Sequence, residues 1–106
     1  MSLLRRAASR DANEPEVISI FKAHGWSVLS LSATGVPDLL VAKNHRTFLV
    51  EIVGPAKLAK YRKTRGLNPA QIEFHRSWGG DIFVVHEAHE AQAIARYESV
   101  TYENQS

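Results

Sequence analysis

The sequence predicts a mixed α/β fold, a central sheet flanked by helices in the order α-β-β-β-α-β-α. Segments with helical i, i+3, i+4 apolar spacing alternate with short apolar runs bounded by turn residues. Three such runs follow one another before the second helix, and the last run is reached through a helix, the usual connection between parallel neighbours. At 106 residues the chain is long enough for one domain with a single modest core.

The elements follow in order. Residues 1–12, with Arg5, Arg6 and Arg10, read as a basic arm. A helix is expected from about Asn13 to His24, because Val17, Ile20, Phe21 and His24 share one face and Gly25 stops it. Trp26 to Leu31 alternates as a strand does, and Ala33 to Pro37 connects onward. The apolar runs Asp38–Ala42 and Thr47–Ile52 form a hairpin across Lys43-Asn44-His45-Arg46. With Asn44 and His45 as the central turn residues, 43 pairs with 46 and, by continuation, 38 with 51. Gly54 to Leu67 has no clean periodicity and reads as a mobile loop. Asn68-Pro69-Ala70-Gln71 is a helix start with an N-cap, Pro at N1 and Gln at N3, and this helix runs to about Trp78 before Gly79-Gly80. Ile82–Val85 is a short buried strand, parallel to the third through a right-handed βαβ unit. A closing helix from Glu87 to about Tyr97 and a frayed tail at 98–106 complete the chain.

Composition narrows the function. The chain has no cysteine, which excludes disulfides and thiolate metal sites and fits a reducing cytoplasm. No stretch approaches the roughly 18 apolar residues of a membrane span, and the first residues lack the apolar core of a signal peptide. The formal charge of +2 is modest but unevenly placed. Lys57, Lys60, Arg62, Lys63 and Arg65 fall between Gly54 and Gly66 with no acid among them, whereas Glu87, Glu90, Glu98 and Glu103 make the C-terminal part acidic. The basic segment and the arm suit a polyanion, and phosphate contacts are what such cations make.

The expected register places Asp38 directly opposite Glu51. Opposed side chains in an antiparallel pair lie roughly 4.5 to 5.5 Å apart at Cβ, where like charges repel. A hard divalent ion with oxygen ligands, Mg²⁺ keeping several waters, removes that repulsion and supplies a catalyst for attack on a phosphate. Glu51 lies between Leu49 and Val53 on its own face, where an unpartnered carboxylate is costly. Simpler readings compete elsewhere. Asn13-x-x-Glu16 is a capping-box pattern, and Gln71 is the N3 partner of Asn68. His75, four residues after Gln71, shares its helical face, yet a lone histidine more often packs than catalyses. His86-x-x-His89 has metal-compatible spacing, but Glu87 and Glu90 beside it suit a solvated helix start. Trp26 and Trp78 read as packing residues.

Gly35-Val36-Pro37-Asp38-Leu39, followed after an apolar strand by Leu49-Val50-Glu51-Ile52-Val53, resembles the core motif of the PD-(D/E)XK nuclease superfamily. More narrowly, residues 10–95 are similar to the virus-type replication-repair nuclease domain in its small stand-alone phage and bacterial form. Asn13-Glu14-Pro15-Glu16, Leu67-Asn68-Pro69-Ala70-Gln71 and Phe74-His75-Arg76-Ser77-Trp78 also match its pattern. The resemblance implies a restriction-endonuclease-like core and a Mg²⁺- or Mn²⁺-dependent nuclease. Asp38, Glu51 and the backbone carbonyl of Ile52 would hold the ion, with Glu16 and Gln71 supporting. It also implies branched DNA as substrate, four-way junctions foremost, and a homodimer in the cytoplasm of a bacterial or phage-infected cell.

One position departs from the pattern. The family places a lysine two residues after the strand glutamate, and here that residue is Val53. Loss of one preorganised electrostatic group costs on the order of 10² to 10³ in rate. The expectation is therefore a weakened or inactivated nuclease, unless a cation such as Lys57 reaches in. The rival expectation is a branched-DNA-binding module that does not cut.

Overall fold

A computed structural model describes residues 12–105, and side chains for residues 12–96. Helix α1 (Glu14–Ala23) begins at an Asn13 N-cap whose side chain accepts the Glu16 N–H, with Pro15 in its first turn. It ends where Gly25 takes a φ of +87°, a conformation costly for other residues. Strands β1 (Ser27–Ser30), β2 (Leu39–Lys43) and β3 (Arg46–Ile52) follow as an antiparallel meander. Then come a short helix α2 (Pro55–Lys60), a 3₁₀ turn (Arg62–Thr64), helix α3 (Pro69–Ser77), strand β4 (Ile82–Val85) and helix α4 (Ala88–Gln105). The sheet order is β1-β2-β3-β4, with β4 parallel to β3. This is the four-stranded mixed sheet with flanking helices that the sequence predicts.

The hairpin register matches the expected one. Lys43 faces Arg46 and Leu39 faces Val50, with Asn44 and His45 both at positive φ in the turn, as the tightest two-residue hairpins require. Alternation then sorts the side chains. Leu39, Val41, Phe48 and Val50 turn to one face and join Val17, Ile20 and Phe21 of α1 and Ala91 and Ala95 of α4 in the core. Trp26 closes this core, edge-on to Phe21 and Phe48, its indole N–H donating to the Ala95 carbonyl at 3.1 Å. Leu40, Leu49, Glu51 and Val53 fall on the other face, which α3 covers through Gln71 and His75.

Two expectations are corrected. The segment 54–67 is not a mobile loop but α2 and the 3₁₀ turn, held by several contacts. Gly54 and Pro55 start α2, and the Thr64 hydroxyl bonds the carbonyls of Tyr61 and Leu67. Arg65 and Gly66 reverse the chain at φ +54° and +96°. The His86 Nε2 meets the Arg65 carbonyl at 2.8 Å. Gly66 lies so close to Val53 that a Cβ there would overlap Cγ1 of the valine. The second correction is at the C-terminus, where α4 continues to Gln105 instead of fraying beyond Tyr97. The arm cations Arg5, Arg6 and Arg10 lie outside the described residues.

Candidate functional site: a carboxylate pair under helix α3

Asp38 stands just before β2 and Glu51 near the end of β3, on the face away from the core. The Asp38 N–H donates to the Val50 carbonyl at 3.0 Å, beside the last ladder pair, Leu39 opposite Val50. Where the ladder stops, the Asp38 carboxylate takes over and accepts the Ile52 N–H at 2.7 Å. The Ile52 carbonyl leaves the strand on that same side, away from β4.

Glu51 is 1% exposed. Its Oε2 accepts from Gln71 Nε2 at 3.0 Å, and its Oε1 lies 3.2 Å from His75 Nε2. The direction of the Gln71 amide is fixed from the helix start. Its Oε1 accepts the Asn68 N–H at 2.9 Å, and the Asn68 side chain accepts the Gln71 N–H in return. That reciprocal cap consumes the amide oxygen and leaves the NH₂ group to face the carboxylate. Capping and site roles, alternatives by spacing alone, are performed here by one side chain.

Burial, and after it the neighbouring Asp38 carboxylate, push the Glu51 carboxyl up to about 8, while the Lys57 ammonium pulls the other way. A carboxyl so shifted favours its protonated form at neutral pH. Burial also lowers the His75 imidazole below its usual value, so the ring facing Glu51 is neutral at pH 7. Two carboxylates and one carbonyl form an all-oxygen donor set that fits a hard divalent ion completed by water. Asp38, Glu51 and Ile52 would hold it. Each Glu51 oxygen keeps lone-pair capacity beyond its contact with Gln71 or His75. No group of three or more His, Asp and Glu that could hold a metal occurs among the described residues.

The other candidates are placed as follows. Glu16 lies in the first turn of α1, half-buried, with its backbone N–H capped by Asn13. Its helix packs on the opposite face of the sheet from Glu51. Val53 is 1% exposed and packs against Gly66, so it anchors the end of the basic segment. Lys57 is half-buried in an otherwise exposed helix. Lys60, with its ammonium 5.4 Å from the Tyr61 ring centroid, and Arg62, Lys63 and Arg65 are exposed. Arg62 and Arg65 line a cleft of about 490 Å³ together with Val53, Leu58 and His86. His86 and His89 do not converge: His86 bonds the Arg65 carbonyl, while exposed His89 pairs with Glu87 at 3.2 Å.

Sequence reasoning left His75 outside the site, although its i+4 spacing from Gln71 was the signal that places it beside Glu51. Lys57, read from the sequence both as a phosphate-contacting cation and as one that could reach the carboxylates, has its charge acting on Glu51. No family model matches the chain, and neither a curated protein nor a solved structure is found to be similar to it. No helix among the described residues is long and apolar enough to cross a membrane.

Proposed function

We propose that the chain is a metal-dependent, structure-selective DNA endonuclease of the PD-(D/E)XK type, cutting phosphodiester bonds in four-way junctions or other branched DNA. The observation that carries this reading is the juxtaposition of half-buried Asp38 with buried Glu51, whose carboxyl is pushed up to about 8 by burial and by Asp38. A bound Mg²⁺ or Mn²⁺ would supply Lewis-acid stabilisation of the phosphate and an activated water. The chain's own groups position it. Asp38 and Glu51 present oxygens, Gln71 and His75 fix the Glu51 rotamer, and the exposed cations at 60–65 contact backbone phosphates.

Val53 makes this a slow enzyme. Lys57 supplies the positive charge that acts at the pair, but from a different backbone position from the expected lysine. The test is cleavage of a labelled four-way junction over a range of Mg²⁺ and Mn²⁺. Weak, metal-dependent incision is expected, abolished in Asp38→Asn and Glu51→Gln and reduced at least ten-fold in Lys57→Ala. Incision that persists in both carboxylate variants refutes the assignment.

One observation favours a second reading, a non-cleaving branched-DNA-binding module. Both Glu51 oxygens already have protein partners, and Val53 is committed to packing. Tight junction binding without incision under any divalent ion would decide for it. A homodimer fits either reading, since symmetric junctions present two equivalent strands.

A further inference from the structure

On the Asp38 side of the carboxylate pair lies an open groove of about 570 Å³, lined by Leu31, Val36, Pro37, Leu40, Phe74 and Trp78 among others. Pro37 directly precedes Asp38, and Leu49, also in the lining, lies two residues before Glu51 on the same face. The groove therefore abuts the pair. The cleft holding Arg62 and Arg65 begins at Val53, two residues beyond Glu51 on the other side. The anionic site is thus flanked by an aromatic groove at one end and by guanidinium groups at the other.

Trp78 is 47% exposed, unusually open for so large an apolar ring, whereas Trp26 is buried. It is nonetheless held in place. Its ring stacks on Phe74 with centroids 5.3 Å apart and planes 18° from parallel. Gly80 lies close enough beneath that a Cβ there would come within 2.9 Å of the indole nitrogen. A stacked aromatic pair with an exposed indole, next to a phosphate-directed site, matches the way single-stranded bases are bound, by stacking.

We propose that the Phe74–Trp78 groove is a subsite for one unpaired nucleobase, at the point where a strand leaves the duplex to enter the carboxylate site. The occupant follows from charge and continuity. The strand's phosphates run toward Arg62 and Arg65, and its base enters the groove that begins at Pro37. This inference rests on the nucleic-acid reading and adds to it the element that selects a branch over plain duplex.

The probe is a duplex with a single-stranded flap carrying 2-aminopurine at successive flap positions, bound by the whole chain in Ca²⁺, beside the same duplex without a flap. The natural chain is expected to quench one or two positions near the branch and to bind the flapped DNA about ten-fold more tightly. Trp78→Ala should lose both effects while leaving affinity for the blunt duplex unchanged, and Trp78→Phe should keep most of each. Circular dichroism establishes that both variants are folded. Equal loss on flapped and blunt DNA, or no position-specific quenching, overturns the subsite and leaves the nuclease reading standing. A groove closed by a second copy, seen as a dimer that Trp78→Ala converts to monomer in sedimentation, overturns it also. Failure of the natural chain to bind either DNA removes the nucleic-acid reading itself, and this inference with it.

Discussion

Asn68 and Gln71 exchange two hydrogen bonds at the start of α3, and the second function of that exchange is to aim an amide at Glu51. Asn68→Ala removes the N-cap acceptor, which costs about 1 kcal/mol. It also weakens the constraint that keeps the Gln71 oxygen on the backbone and its NH₂ on the carboxylate. The expected outcome is a small loss of stability in urea unfolding together with a several-fold loss of Mn²⁺ affinity by calorimetry, although Asn68 touches neither carboxylate. Asn68→Asp keeps an N-cap acceptor and should retain both properties. Unchanged Mn²⁺ affinity in the alanine variant would show that the amide orientation is immaterial. Gln71→Leu is harsher, because it leaves the buried Oε2 of Glu51 and the Asn68 N–H without their partners, and a buried polar group so orphaned costs roughly 1 to 3 kcal/mol.

At the scale of elements, the ordering of the basic segment depends on a contact between a strand end and a turn. Val53 fills the space that a Gly66 side chain would need, and Gly66 holds a φ of +96° that other residues adopt at a cost. Gly66→Ala should therefore destabilise by about 2 kcal/mol or more, from strain and overlap together. Trypsin should then cut faster at Lys60, Arg62 and Lys63. Val53→Ala in the same chain relieves the overlap but not the backbone strain. The double variant should thus recover part of the loss, with a coupling of about 1 kcal/mol in a mutant cycle. Purely additive losses would mean that the two residues do not bear on each other. This also explains why the segment was not legible in the sequence. Helix α2 has no buried residue, hence no apolar stripe to announce it, and the turn after it is held by partners outside the segment, Gly66 against Val53 and the Arg65 carbonyl by His86. The hairpin was legible because its signals are local: two apolar runs, a four-residue polar gap, and turn residues that accept positive φ. The start of α3 was legible for the same reason. His75 was legible as a same-face neighbour of Gln71, but not as a partner of Glu51, because that meeting depends on how α3 lies across the sheet. Helix α4 past Tyr97 was missed because its polar composition resembles a solvated tail.

The whole molecule carries the consequence of burying Glu51. Its carboxyl titrates near 8 in the folded protein against an ordinary value of 4.5. Below about pH 4.5 the group is protonated folded or unfolded, and it contributes its full share of stability. As pH rises from there, the unfolded chain releases this proton while the folded chain keeps it, so the folded state loses ground until about pH 8, where both are ionised. For this buried group the total is of the order of a few kcal/mol. Without divalent ions, Tm should therefore fall as pH is raised from 5 to 8, and Glu51→Gln should remove most of that slope, since glutamine has no proton to release. A bound divalent cation favours the ionised carboxylate and must displace the proton to bind. Mg²⁺ or Mn²⁺ should accordingly raise Tm more at pH 8 than at pH 6, release close to one proton per ion near pH 7, and have no such effect on Glu51→Gln. Calorimetry in buffers of different ionisation enthalpy measures the proton release directly. A metal effect on Tm that is equal at both pH values and survives in Glu51→Gln would place the ion elsewhere on the molecule, and the carboxylate pair would then be a buried proton-sharing pair that holds β2 and β3 in register.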